Sequence, residues 1–200
     1  GFSLTLGGGF ERHKLGGIDL EDISTMNMSI FRQNAKVRYG VTYKQAKIEN
    51  ITEQYFYLAG GLQSLRLQLD TKNRRHRFGL FYQNDVNDRE DLEIGTVFHS
   101  YSPTRHIVAG YYGYEINKLY FNFLANYNRS FYRGVDVDSL FQINEQREEH
   151  QLGLSVNIDF NFNKNWKIFA QFADTKNDST LSPFNYSRDG LSAGLSWRFL

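Results

Sequence analysis

Leu191-Ser192-Ala193-Gly194-Leu195-Ser196-Trp197-Arg198-Phe199 alternates strictly between apolar residues and small or charged ones. A period of two belongs to a β-strand, whose successive side chains leave opposite faces. One face here is apolar and the other polar. A soluble edge strand shows the same alternation, so the pattern alone decides little. What sharpens it is an aromatic pair, Trp197 and Phe199, on the apolar face.

The alternation can be followed through the rest of the chain. Phe2, Leu4, Leu6 and Phe10 carry a first strand to about His13, and a polar loop runs from Gly16-Gly17 to Asp22. Met26, Met28 and Ile30 mark a shorter second strand. Val37, Tyr39, Val41 and Tyr43 form a third, opposite Lys36, Arg38, Gly40, Thr42 and Lys44. The fourth runs from about Tyr55 to Leu69, and its alternation slips at Gly60-Gly61, which predicts a bulge. A compact turn at 70–74 leads to a fifth strand through His76, Phe78, Leu80 and Tyr82, after which 85–104 reads as a long loop. Val108, Tyr112, Tyr114 and Ile116 carry the sixth; Leu119, Phe121, Phe123, Ala125 and Tyr127 carry the seventh. After a second long loop to about Glu148, the eighth alternates cleanly from Leu152 to Phe162. Trp166, Ile168, Ala170 and Phe172 begin the ninth, and a loop over 177–185 leads to the tenth.

Connections after even-numbered strands are short and those after odd-numbered strands mostly long. Outer-membrane barrels show this asymmetry, with short periplasmic turns and longer external loops. A soluble sandwich or lipocalin-like barrel has no physical reason to segregate its loops, though turn-rich all-β chains can imitate the pattern. The expected fold is therefore all-β, an antiparallel up-and-down transmembrane β-barrel of about ten strands. It would form a single domain over 1–200, or the C-terminal part of a larger protein, in the bacterial outer membrane. Trp166, Trp197 and Phe199 would form an aromatic girdle at the membrane interface.

Composition agrees. Aromatics make up 16% of the chain, with 13 Tyr and 17 Phe, against 2 Pro and no Cys. Without cysteine there is neither a disulfide framework nor a thiolate metal site. No apolar run approaches the roughly eighteen residues of a membrane helix. A mean hydropathy of −0.53 is compatible with a barrel, because every second strand residue faces a polar lumen. No signal peptide is visible, so the chain reads as a mature protein or an excerpt of a longer one.

Energetics decides which face is outside. The polar face carries Lys36, Arg38, Arg66, Arg77, Asp159, Lys167 and Arg198. A charge at the bilayer midplane costs roughly 2–4 kcal/mol, and in a closed protein core it needs a partner. This face is therefore expected to line the lumen, with Glu11, Glu115 and Asp159 as its counter-charges. Basic residues are in excess, which suits an anionic substrate or a secreted acidic polymer or protein. The plainer alternative is a salt-bridge network filling a narrow barrel. Arg12, Arg32 and Arg129 fall on the apolar face, but near strand ends, where they could snorkel.

Most acids lie in or beside the proposed outer loops, among them Asp19, Glu21, Asp22, Asp85, Asp88, Glu90, Asp91, Asp136, Asp138, Glu148 and Glu149. They could bind divalent cations bridging to lipopolysaccharide, or form a solvated repulsive surface. No calcium-loop spacing is present, and neither a metal nor a cofactor is expected. His99-Ser100 invites a nucleophile reading, but adjacent strand residues point to opposite faces. Asp85 and Asp88 could imitate an acid protease, yet nothing around them would tune them. A non-enzymatic role is expected, with an outer-membrane hydrolase as the weaker alternative. Nucleic acid is an unsuitable partner, for lack of a basic stripe, a phosphate loop or zinc spacing.

Two resemblances extend this reading. Ser192-x-Gly194-x-x-Trp197-x-Phe199 resembles the C-terminal signal of bacterial outer-membrane barrels, departing from it in Leu200, which follows the usual terminal aromatic. That resemblance implies recognition by the barrel-insertion machinery. Arg147-Glu148-Glu149, Asn165-Trp166, Asn177-Asp178-Ser179, Tyr186-x-Arg188 and Gly194 to Phe199 occur together, with Asn87-Asp88-Arg89 and Thr104-Arg105-His106 upstream. The set is similar to the C-terminal barrels of outer-membrane proteins carrying tetratricopeptide repeats, the surface lipoprotein assembly modifiers and exopolysaccharide-export porins. It covers about the final half of the chain and implies a channel or export component in contact with outer-membrane lipid and lipopolysaccharide. Those barrels have more than ten strands, and no 34-residue repeat is present here. A structural or adhesive barrel with a closed lumen and ligand-binding acidic loops is the competing class.

Overall fold

The computed structural model describes residues 1–15, 18–50, 59–89, 91–95, 97–138, 143–163 and 165–197. Among them are fourteen strands and one short 3-10 turn at Ser182–Phe184. Ten long strands build one antiparallel sheet: β1 (Phe2–Leu15), β2 (Ile18–Gln33), β3 (Val37–Asn50), β4 (Gly60–Asn73), β5 (His76–Arg89), β8 (Pro103–Ile116), β9 (Leu119–Tyr132), β12 (Glu148–Asn161), β13 (Trp166–Ser179) and β14 (Tyr186–Trp197). Each pairs with the next long strand in the chain. Four short strands, β6 (Leu92–Ile94), β7 (Val97–His99), β10 (Asp136–Asp138) and β11 (Ile143–Glu145), form a second sheet within two connections at one end.

The architecture is thus all-β and antiparallel, but the main sheet is not closed. Among the described residues β1 and β14 each keep one unpaired edge. The register is nonetheless strongly staggered. Paired positions lead straight across from Phe2 through Arg32, Tyr39, Leu69, Leu80, Gly110, Ala125, Leu154 and Asp174 to Asp189. Phe2 is at the turn end of its strand, whereas Asp189 is far up β14 from Trp197.

Burial is inverted relative to a water-soluble sheet. On β4, Leu65, Leu67 and Leu69 are 44%, 46% and 38% exposed, while Ser64 is buried and Arg66 and Gln68 are half-buried. Large apolar side chains are exposed on the same face around the sheet, from Phe2, Leu4 and Leu6 on β1 to Leu191 and Leu195 on β14, and on these two edge strands the polar face is exposed as well. Phe31, Ala46, Ile48, Ala109 and Tyr132, all buried, share the polar face.

Several boundaries differ from expectation. The second strand, expected to be short, is 16 residues long, and β1 and β2 continue past the apolar stretch as far as residues 15 and 18. In their upper parts Arg12 and Asp22 stand on the apolar side and Ile23 on the polar side, so the alternation is lost while the antiparallel ladder continues. Gly60-Gly61 opens β4 in regular register instead of bulging within it; the irregularity of register lies in β1, between His13 and Lys14. Asp70 belongs to β4, and the turn falls at 74–75. The 85–104 stretch is shorter as a loop than expected, since β5 reaches Arg89 and β8 starts at Pro103. Gly16-Gly17, Tyr55, Glu90, Arg198, Phe199 and Leu200 lie outside the described residues.

The ends of the apolar face are chemically distinct. At the loop end, Arg12 donates to both carboxylate oxygens of Asp22 at 2.7 and 2.8 Å, Arg129 Nε donates to Glu148 at 2.6 Å, and Lys47 pairs with Glu49. Tyr82 and Tyr127 bond His106 and His150 at 2.8 and 2.6 Å. At the turn end, Trp166 and Trp197 stack with ring centroids 5.3 Å apart and planes at 5°.

Candidate functional site: the polar face of the sheet

Strand pairing places Glu11, Arg38, Arg66, Arg77, Glu115, Asp159 and Lys167 on one face, together with Ser192 and Gly194. Lys36 is not on β3 as expected. It sits in the turn before it, where its carbonyl accepts the Lys72 backbone N–H at 2.8 Å. Trp166 and Trp197 project from the opposite, apolar face.

The cations on this face lean on aromatic rings. The Arg66 guanidinium lies 3.7 Å from the Phe81 ring centroid, Arg38 4.0 Å from Phe31 and Arg77 5.5 Å from Tyr120. A ring holds a guanidinium by its flat side and leaves the in-plane N–H groups free to donate. Arg77 also sits 3.6 Å from Glu115, and Lys167 3.2 Å from Asp159, so part of the positive charge is matched. Glu11 approaches His13 at 3.5 Å.

Two acids of this face, Asp70 and Asp85, lie on strands where the sequence predicts a turn and a loop. Asp70, expected in a turn, accepts hydrogen bonds from Gln68 Nε2 at 2.6 Å and from the Tyr111 hydroxyl at 2.9 Å. Tyr111 reaches it by lying across Gly79 of the intervening β5, where a Cβ would collide with the ring. Phe31 covers Gly40 and Phe169 covers Gly194 in the same manner. Asp85, expected in a loop, ends the face towards the loops and accepts from Gln83 at 2.9 Å. The remaining half of the face, on β9 to β13, is rich in amides: Asn122, Asn126, Asn157 and Gln171.

Above the face, the loops converge on Arg147. Its guanidinium donates to the Ser100 carbonyl at 2.6 Å, lies 3.6 Å from Asp136, and is stacked 3.5 Å from Tyr132 and 4.2 Å from Phe184. Asp136 accepts from the Ser100 backbone N–H at 2.9 Å. The Ser100 hydroxyl, wholly buried, donates to Asp91 at 2.8 Å, and the His99 ring is 3.9 Å from Asp136. This cluster ties loops together, and it commits the Ser100 hydroxyl to Asp91. Among the described residues no group of His, Asp and Glu has the arrangement of a metal site. At the loop end, past the apolar belt, Glu21 raises the His13 pKa from its usual 6.5. Arg129 lowers that of Glu148, and burial raises that of Tyr132.

No family model matches the chain, and no curated protein matches it. Among solved structures it is similar to the ferric yersiniabactin uptake receptor FyuA from Yersinia pestis, with a TM-score of 0.37 and 10% identity, over 98% of this chain and 38% of that one. A likeness that low transfers neither ligand nor role.

Proposed function

We propose that the chain is a transmembrane β-barrel of the bacterial outer membrane, a non-enzymatic channel or transport component with a polar, net basic lumen. The observation that carries this is the inverted face: large apolar side chains are exposed along all ten long strands, and the arginines and amides are turned away from them. On β9 the apolar face runs from Leu119 to Tyr127 before Arg129 interrupts it. That is about 27 Å along the strand and roughly 22 Å along the membrane normal at ~35° tilt, close to the apolar band of such barrels.

The reading requires the free edges to be paired, because acyl chains cannot satisfy backbone N–H and C=O groups. The simplest closure joins β14 to β1, which run antiparallel. A shift of one residue per strand gives a tilt of about 35°, at the edge of the barrel range. It sets Asp189 beside Arg12, Leu191 beside Phe10, Leu195 beside Leu6 and Trp197 beside Leu4. Outer-membrane lipid and lipopolysaccharide then contact the apolar belt, and Ser192, Gly194, Trp197 and Phe199 address the insertion machinery. The tetratricopeptide-linked export type is the finer form of this reading and rests on the sequence resemblance alone.

Planar-bilayer conductance of the purified chain tests the channel. The expected result is an anion-selective current whose selectivity falls in Arg66→Gln and Arg77→Gln. The ordered loop cluster around Arg147 favours a second reading, a closed structural or adhesive barrel. Absence of current both before and after deletion of the 90–102 and 133–147 connections would select it.

A further inference from the structure

We propose that the turn end of the polar face docks an acidic peptide segment of a partner protein. The proposal rests on the barrel reading for its orientation, and it concerns binding at the mouth, not passage.

The positive excess of the polar face is concentrated here. Lys36, in the turn between β2 and β3, and Arg74 and Arg75, in the turn between β4 and β5, line a cavity of about 1130 Å³ together with Lys72, His76 and Tyr114. A second cavity of about 430 Å³ continues up the face past Arg38, Arg77 and Asp70. Among the described residues no ion pair involves Lys36, Arg38, Lys72, Arg74 or Arg75, and all five are exposed.

Turn chemistry gives an independent indication. Arg74 takes φ 49°, a left-handed conformation. Tight hairpins normally give that position to Gly, Asn or Asp, and the β8–β9 turn does so with Asn117 at φ 54°. The β4–β5 turn accepts an unfavourable backbone to keep two adjacent guanidinium groups at the mouth. Strain retained where a better residue exists points to a binding role.

The shape of the site selects the ligand. Five solvated cations spread over two connected cavities do not enclose a single small anion, but they suit charges repeated along an extended chain. Lipid headgroups would meet the apolar side of the rim, where Trp166 and Trp197 stand, whereas Lys72 and Arg38 are on the polar face. The His76 and Tyr114 rings, 5.0 Å apart, stand on the apolar side of β5 and β8 and wall the cavity towards the lipid-side rim. Carboxylates flanking an aromatic residue would engage both features.

The test is fluorescence anisotropy with the full chain in zwitterionic micelles and a labelled peptide of glutamates around a central tyrosine. Binding is expected to weaken about tenfold in the combined Lys36→Gln, Lys72→Gln and Arg75→Gln variant, and with added salt. Lys176→Gln, at the opposite end, should leave it unchanged. Arg74→Asn should weaken binding while raising resistance to urea, a combination that a purely structural arginine would not give. Equal binding by the triple variant, or polyphosphate binding as tightly as the peptide, would overturn the proposal. Peptide binding without any bilayer current removes the channel and leaves the docking site; anion-selective current without peptide binding does the reverse.

Discussion

Leu67→Arg separates a lipid-facing sheet from a water-facing one. Leu67 is central in the apolar run Leu65, Leu67 and Leu69, pairs across to Val41 and Tyr82, and is 46% exposed. In water, a half-exposed leucine on a sheet surface tolerates arginine, with a change within about 0.5 kcal/mol. In a bilayer the same guanidinium sits near the midplane of the belt, where a cation costs about 2–4 kcal/mol. The alternatives differ severalfold, and neither depends on knowing a ligand. Reversible urea unfolding from phosphocholine vesicles gives the free energy, with Leu67→Ala as control for lost apolar area. A loss of at least 2 kcal/mol beyond the alanine variant is expected for a lipid-facing position. A difference under about 0.5 kcal/mol would refute the orientation of the whole sheet, because strand pairing ties the other apolar positions to this one.

Other expectations follow from particular contacts. Leu6→Cys with Leu195→Cys should form an intramolecular disulfide in membranes if β14 closes on β1; a cross-link only between two molecules would show instead that the edges pair between copies. Gly79→Ala forces a Cβ into the Tyr111 ring and should cost about 1–3 kcal/mol in the same urea assay, while Gly190→Ala, with open space around it, should not. Arg147→Ala leaves Asp136, only 1% exposed, without its cation. It should lower local stability by about 3 kcal/mol, read as faster proteolysis of the 90–102 and 133–147 connections with the strands intact. The His13 pKa is raised by Glu21, so its contribution is fully present below 6.5 and disappears as pH rises through the higher folded value. NMR titration of the ring should show a midpoint above 6.5 that moves down in Glu21→Gln, where Glu11 still raises it.

Alternation was legible in the sequence wherever the two faces met different solvents, which is why Leu152 to Phe162 and Leu191 to Trp197 could be assigned from residues alone. It failed where both faces meet water. The upper parts of β1 and β2, with the Arg12–Asp22 pair on the apolar side and Ile23 on the polar side, continue as ladder after the alternation is lost, so the strands end beyond where their pattern does. The strands β6, β7, β10 and β11 are three residues each, too short for a period to register. Face assignment of Arg38, Arg66 and Arg77 needed only parity, and it agrees with the pairing. Their aromatic supports required register, since Phe81 and Tyr120 become neighbours of Arg66 and Arg77 only once strands are aligned. The basic mouth lay furthest from reach. Lys36 and Arg74 are separated by two strands in sequence, and a left-handed arginine looks like any other in a one-dimensional chain. What brings them together is the hairpin geometry itself: short turns at one end force alternate connections into a common rim. A charge pattern dispersed in sequence thus becomes one continuous surface, and one of its residues, Arg74, holds a left-handed turn position that Gly, Asn or Asp usually takes.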